Sequence, residues 1–382
     1  MFQHRRAQLL ITLLLAFATS LKSQPNLGLF SSHSDIGTIL HPGSASFDPA
    51  NDTYTITGSG DNTWFKSDDL QYVWKKIDSP NIILSAEIGF PNPGGNAHRK
   101  AMLMIRQSLD PDSAYVDVAR HGNGLTSLQY RGEKGDITRE VQTSAAGPPR
   151  LRLVKHGDFF YVLYAAADGQ WQFSGASMRL PMQGAFYVGL GVCSHDKDVT
   201  EKAAFARVQL TSNQANSEGT LFSTIETVPI ASSDRRVVYT APARFDAPIW
   251  LVDNSGFLIH QDGHLLHVDA RPTSGEHGPG DTMHWNGQPP APVNPSDPSS
   301  AAKQSYNLSP DGKWTLSFTD IPEAAGSGEE VELRATPVSG GERRMLAKFR
   351  TIQGVTPTAT WSPDSTKVAY VTYAMLPPDA TK

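Results

Sequence analysis

Five histidines, His260, His264, His267, His277 and His284, fall within 25 positions of one another, together with Asp262 and Asp281. Imidazole and carboxylate are zinc ligands, so a metal site is the first chemistry to weigh. The spacing argues against it. On a strand His260 and His264 share a face while His267 points the other way, and the H-L-L-H pair lacks the helical i, i+4 spacing of a zinc protease. These histidines are read as solvent-facing, with no metal and no cofactor. Hydrolytic chemistry leaves its own signatures. A retaining glycosidase holds two carboxyls about 5 Å apart, and known sandwich-fold glucanases carry theirs as E-x-D-x-x-E. That pattern is absent, and Glu87 has no acidic partner two or four places away. The nucleophile elbow G-x-S-x-G is absent as well.

Binding chemistry has better candidates. Asp61, Asn62 and Trp64 lie in a loop before a strand, Asp168 and Trp171 bracket a D-G-Q-W turn, and His195 with Asp196 closes another. Aromatic faces beside Asp and Asn suit a sugar-binding rim, where ring CH groups stack and hydroxyls hydrogen bond. The same residues also fit a plainer reading, in which Trp64 and Trp171 pack hairpins and Asp168 stabilises its own turn. Arg106 in M-I-R-Q-S reads as a partly buried sheet arginine with an acidic partner and a structural role.

The elements that must position these residues are strands. Hydrophobic residues make up 39% of the 382 and charged residues 19%, enough for packed cores. The 32 glycines and 27 prolines sit between short apolar runs, the distribution of a turn-rich β protein. In N-I-I-L-S-A-E-I-G-F, Ile82, Leu84, Ala86 and Ile88 alternate with Ser85 and Glu87, the period of a half-buried strand. K-A-M-L-M-I-R-Q-S, S-A-Y-V-D-V-A-R-H-G, L-T-S-L-Q-Y-R-G and A-F-Y-V-G-L-G-V-C-S-H behave alike, and no stretch has a capped helical period. A net charge of −5 gives no basic face for nucleic acid.

The ordered motifs G-S-G-D-N-T-W-F-K-S-D-D-L-Q-Y-V-W-K-K-I, K-A-M-L-M-I-R-Q-S-L-D-P-D-S-A-Y-V-D-V, P-R-L-R-L-V-K-H-G-D-F-F-Y-V-L-Y and F-Y-V-G-L-G-V-C-S-H resemble the concanavalin A-like, laminin-G-like jelly roll, in the branch labelled "regulation of enolase". The resemblance covers roughly 170 residues and implies a sandwich over 40–212 that serves as a binding or accessory module. Residues 213–225 are small and polar and read as a linker.

Beyond it, L-S-P-D-G-K-W-T-L-S-F and W-S-P-D-S-T-K-V-A-Y-V place Asp311 and Asp364 in matching positions, and W-L-V-D-N-S-G-F-L-I-H is a degenerate third copy. In that copy Trp250 aligns with Trp361 and Asp253 with Asp364. Pro fixes φ before a tight turn, Asp accepts backbone N–H groups within it, and the alternating run becomes a strand. Repeats at this period point to propeller blades, and these resemble the TolB-type repeat. Three signatures over 226–382 fall short of an ordinary ring, so the fold class expected is all-β: a jelly roll followed by a partial or degenerate β-propeller.

The N-terminus, M-F-Q-H-R-R-A-Q-L-L-I-T-L-L-L-A-F-A-T-S, has the basic start, apolar run and small residues of a secretory signal peptide over 1–23. The expectation is a periplasmic or extracellular protein with no membrane span in its mature form, binding carbohydrate or a cell-envelope protein without catalysis. The alternative is a polysaccharide-active glycoside hydrolase whose site is not written as a motif. Cleavage should leave a mature N-terminus between Leu21 and Gln24. N-terminal sequencing of protein recovered from an exporting host checks this, and an intact Met1 or Phe2 would refute it.

Overall fold

The computed structural model describes residues 26–213, 219–232, 234–261, 264–269, 291–292, 307–321, 330–352 and 355–381. Every regular element among them is a strand. The expected signal peptide lies outside the described residues, as do Asp262, His277, Asp281 and His284.

Two sheets face each other to form the sandwich. The back sheet has seven strands, in the order Trp171–Arg179, Phe159–Ala165, Arg150–His156, Asn81–Gly89, Asp196–Asn213, Thr53–Gly60 and Ser44–Asp48. The front sheet runs Ser32–Ile36, Leu70–Ile77, Phe186–Cys193, Lys100–Arg106, Tyr115–His121, Thr126–Arg131 and Arg139–Gln142. Alternation decides what points inward. Ala101, Leu103, Ile105, Val116 and Val118 meet Leu84, Ile88, Leu151 and Leu153 in one core. Gly189 permits a close approach, because a Cβ there would collide with the Val73 carbonyl.

The front sheet does not stop at the sandwich. Arg139–Gln142 pairs in parallel with Arg235–Ala241, with Val141 opposite Arg235, and four strands of the C-terminal half extend the same sheet. The stretch read as a linker therefore ends earlier than the sequence suggested. Thr220–Ile225 belongs to the strand Thr220–Pro229, whose alternating residues pair along Lys367–Leu376. The sandwich core also draws on residues outside 40–212: Leu27, Phe30 and Val237 all join it.

The C-terminal half is a partial propeller of three packed sheets. Its first and last long strands, Thr220–Pro229 and Lys367–Leu376, pair over ten residues and close one sheet. Lys367–Leu376 has two apolar faces. Val368 and Tyr370 pack with Leu333, Phe349 and Trp361 toward the sheet Trp314–Ile321, Glu330–Pro337, Arg344–Arg350. Ala369, Val371 and Tyr373 pack with Trp250, Phe257 and Ile259 toward the sheet that contains Gly256–Gln261 and His264–Asp269. One alternating strand thus cements two neighbours, as blades do.

Each repeat turn has the same chemistry. Asp253 Oδ1 accepts the Ser255 amide at 3.0 Å. Asp311 Oδ1 accepts the Ser309 hydroxyl at 2.6 Å and the Lys313 amide at 3.1 Å. Asp364 Oδ1 accepts from the Ser362 hydroxyl at 2.6 Å and the Thr366 amide at 3.0 Å. The residue after each Asp is left-handed: Asn254 at φ 60°, Gly312 at 73° and Ser365 at 62°. Trp250 and Trp361 are buried beside these turns, and the Trp250 indole donates to the Thr360 carbonyl at 3.2 Å.

Burial raises the Asp364 carboxyl, but its hydroxyl and amide donors outweigh that and hold it below the ordinary carboxylate value. A depressed folded-state pKa contributes stability that is present above the unfolded value and is lost as pH falls through the folded one. Asp364→Ala should therefore cost about 1 kcal/mol at neutral pH, with Asp364→Asn recovering part of it. The difference should shrink as pH falls below the ordinary carboxylate value of about 4. Urea unfolding of the three proteins at neutral pH and through the acid range measures this.

Candidate functional site

The outer face of the front sheet carries charge where a surface sheet would carry solvent. Spacing by two puts Lys100, Met102, Met104 and Arg106 outward on one strand and Tyr115, Asp117, Ala119 and His121 outward on the next. Register sets Lys100 opposite His121, Arg106 opposite Tyr115, and Asp117 opposite Gln129, which in turn faces Glu140. All of these are buried.

A short hairpin, Thr63–Trp64 paired with Ser67–Asp68, lies over part of this face. Asp68 reaches down from it. Its Oδ2 accepts Arg106 Nη1 and Arg131 Nη1, each at 2.8 Å, and its Oδ1 accepts Arg131 Nη2 at 2.7 Å. All three side chains have zero exposure. Asp68 is the acidic partner of the buried arginine. The spare guanidinium hydrogens bind carbonyls of the neighbouring loops, Arg106 to Ser108 and Asp110, and Arg131 to Ser113 and Asp136. Burial works against the Arg131 charge, yet the Asp68 carboxylate wins and raises its pKa. Nearby, the Lys100 ammonium donates to Asn62 Oδ1 at 2.9 Å and to the Thr63 carbonyl at 3.1 Å, and it lies 5.1 Å from the Trp64 ring centre.

The hairpin turn holds an aromatic in an unusual place. Phe65 has φ 49° and is 68% exposed. Left-handed backbone is costly for a residue with a Cβ, and here the surroundings enforce it. The Phe65 carbonyl accepts the Thr138 amide at 2.7 Å, and Asp68 N and Asp69 N bond Pro111 O and Asn62 O.

The residues singled out from the sequence separate into two places. Asn62 and Trp64 contact Lys100, and His195 and Asp61 lie close enough to feel each other's charge. Burial, with Lys100 and His98 adding like charge, lowers the His195 pKa. Its ring lies 5.5 Å from that of His98. Asp168 and Trp171 are not part of this group, which corrects the expectation of one rim. They belong to the back sheet: Asp168 Oδ1 accepts the Gln170 amide at 2.9 Å, and Trp171 stacks under the Arg152 guanidinium at 4.0 Å. Among the described residues no group of three His, Cys, Asp or Glu side chains has the geometry of a metal site.

Beside the hairpin opens a cleft of about 610 Å³ between the sandwich and the propeller half. Trp64, Phe65, Tyr130 and Ile137 form an aromatic and apolar wall. Asp234, Glu342 and Arg343 stand on the opposite wall. Arg235 anchors that second wall from below: it binds buried Glu226 through Nε at 2.7 Å and Nη2 at 2.9 Å, and Tyr370 donates to the same carboxylate at 2.7 Å. Sequence reading reached Trp64 and missed Phe65, Asp68, Asp117 and the whole second wall. The available signal was charge at period two inside apolar strands.

No family model matches this chain, and no curated protein does. Several solved structures share some likeness. A functionally unknown protein from Saccharomyces cerevisiae is 12% identical with a TM-score of 0.37, covering 48% of this chain and 97% of that one. The receptor binding domain of botulinum neurotoxin D is 8% identical with a TM-score of 0.26, over 89% and 94% of the two chains. A putative TolB from Agrobacterium tumefaciens is 12% identical with a TM-score of 0.15, over 73% and 99%. Scores this low carry no argument about function.

Removing the Asp68 carboxylate leaves two buried guanidinium groups uncompensated. Asp68→Asn should cost about 3–5 kcal/mol and speed hydrogen exchange at the Asp68, Asp69 and Thr138 amides before the sandwich core opens. An unchanged urea midpoint with unchanged exchange would show that the hairpin is held by something else.

Proposed function

We propose that this is an exported, non-catalytic binding protein that recognises carbohydrate in the cleft between sandwich and propeller. The observation that carries this reading is the exposed, strained Phe65 beside Trp64 at the mouth of a cleft of about 610 Å³. That volume lies in the range of small-ligand sites. A backbone held against its preference by three separate hydrogen bonds presents an aromatic face that folding does not require. Sugar rings stack on such faces, and the polar wall opposite supplies donors and acceptors for their hydroxyls. Export rests on the N-terminal sequence, and among the described residues no helix is long and apolar enough to cross a membrane. A cell-envelope glycan or glycoprotein would fit the compartment.

The hydrolase alternative has one observation in its favour. Burial holds the Asp117 carboxyl well above the usual carboxylate range, as a general acid requires, and Glu140 lines the cleft two strands away. Strand spacing puts them roughly 10 Å apart, near the separation in inverting glycosidases. Two facts favour binding instead. Asp117 has zero exposure, and the Glu140 oxygens are taken by the side-chain amides of Gln129 and Gln142. Reducing ends released from a bound oligosaccharide, and lost in Asp117→Asn, would make the hydrolase the better account.

Phe65→Gly separates binding from stability. Glycine accepts φ 49° without strain, so the thermal midpoint should hold or rise. Oligosaccharide affinity, read by glycan array and then calorimetry, should fall about tenfold with the stacking face gone. Trp64→Ala should weaken the same ligand. Full affinity in both variants would place the sugar elsewhere.

A further inference from the structure

We propose that the cleft selects uncharged glycans and turns away polyuronates and other acidic saccharides; the inference rests on the carbohydrate reading above. By formal count the cleft looks cationic, since Arg139, Arg235, Arg343, Arg344 and Lys348 outnumber Glu140, Asp234 and Glu342. The pairings offset most of that excess. Arg139 is engaged by Asp136 at 2.8 Å, Arg235 by Glu226 at 2.7 Å and Lys348 by Glu330 at 3.4 Å. Arg344 donates to the Ile230 carbonyl at 3.1 Å and lies 5.0 Å from the Trp314 ring centre.

Two of the anions are uncommitted. Among the described residues Asp234 and Glu342 have no ion-pair partner, and Glu140 is held by two neutral side-chain amides. Among the described residues a ligand in the cleft therefore meets two carboxylates without an ion-pair partner, Asp234 and Glu342, beside the guanidinium of Arg343. An uncharged pyranose satisfies this wall well: its hydroxyls donate to carboxylates and accept from Arg343 while its CH face stacks on Phe65. A uronate brings its own carboxylate against the same oxygens, and like charge placed opposite like charge is a strong discriminator.

The test uses the full mature chain and calorimetric titration with cellohexaose, laminarihexaose and chitohexaose as uncharged probes and hexagalacturonate as the acidic one. At least one uncharged hexasaccharide should bind, insensitive to salt, with hexagalacturonate weaker by about tenfold or more. In the double variant Asp234→Asn, Glu342→Gln, hexagalacturonate should gain about tenfold relative to the uncharged probe, since amide oxygens still accept hydroxyls but no longer repel a carboxylate. Among the described residues neither carboxylate carries an ion pair, so the thermal midpoint should stay at the wild-type value and serves as the folding control. Hexagalacturonate binding as tightly as the uncharged probes, or failing to gain in the double variant, overturns the selectivity while leaving a carbohydrate site standing. If no hexasaccharide binds at all, the carbohydrate reading itself falls and takes this inference with it.

Discussion

Asp68 points inward from a surface hairpin with no exposure, and its two oxygens receive three guanidinium hydrogen bonds from Arg106 and Arg131. Two arginines on one carboxylate leave a net positive charge, which a low-dielectric interior tolerates only when every remaining N–H finds an oxygen. That demand organises the surroundings. The carbonyls of Ser108, Asp110, Ser113 and Asp136 turn inward to meet the guanidiniums, fixing two loops against the face of the front sheet. Tyr115 lies between the cations, 5.6 Å from one and 5.1 Å from the other, and is itself buried. Such a node contributes little net stability compared with an apolar core of equal volume, but it admits one arrangement of hairpin and loops.

A second buried node, Glu226 with Arg235 and Tyr370, stands on the far side of the cleft. The sheet bonds at Val141 and Arg235 connect the two halves, and Arg235 is thus both a strand partner of the sandwich and the anchor of the propeller wall. Further ties hold the halves together: Arg179 pairs with Glu330 at 3.4 Å, and Arg152 donates to the Ala380 carbonyl at 2.6 Å. The sheets beneath the cleft are therefore fixed by strand pairing and buried ion pairs, so the backbone framework needs little ordering when a ligand enters.

The strands were legible because they obey period two. Ile82, Leu84, Ala86 and Ile88 point to the core as their spacing requires, and the repeated S-P-D stretches identify turns whose carboxylates accept amides two residues on. The site was less legible because its parts come together only in the fold. Asp68 meets Arg106 and Arg131 across 38 and 63 positions, and Arg235 meets Tyr370 across 135. No local pattern encodes such pairs. Trp64 and Trp171 looked equivalent in sequence, each beside an Asp and a turn, yet one borders the cleft and the other lies beneath arginines on the back sheet. The linker was misplaced for a related reason. Polar and small residues in T-L-F-S-T-I-E suit a loop, but Lys367–Leu376 supplies a complete set of backbone partners for them.

These features explain why Phe65 can stay where it is. Alone, a two-residue turn with φ 49° at a phenylalanine would relax or be replaced by glycine or asparagine. Here the turn cannot relax. Asp68 pins one end through two buried cations, Lys100 holds Asn62 and Thr63 at the other, and Thr138 bonds the Phe65 carbonyl itself. The strain is small beside the interactions that enforce it. A glycine would satisfy the backbone and leave the cleft mouth without its aromatic face. The hairpin therefore makes physical sense as a platform: buried charge beneath supplies rigidity, and the rigidity keeps an exposed ring at the mouth of the cleft.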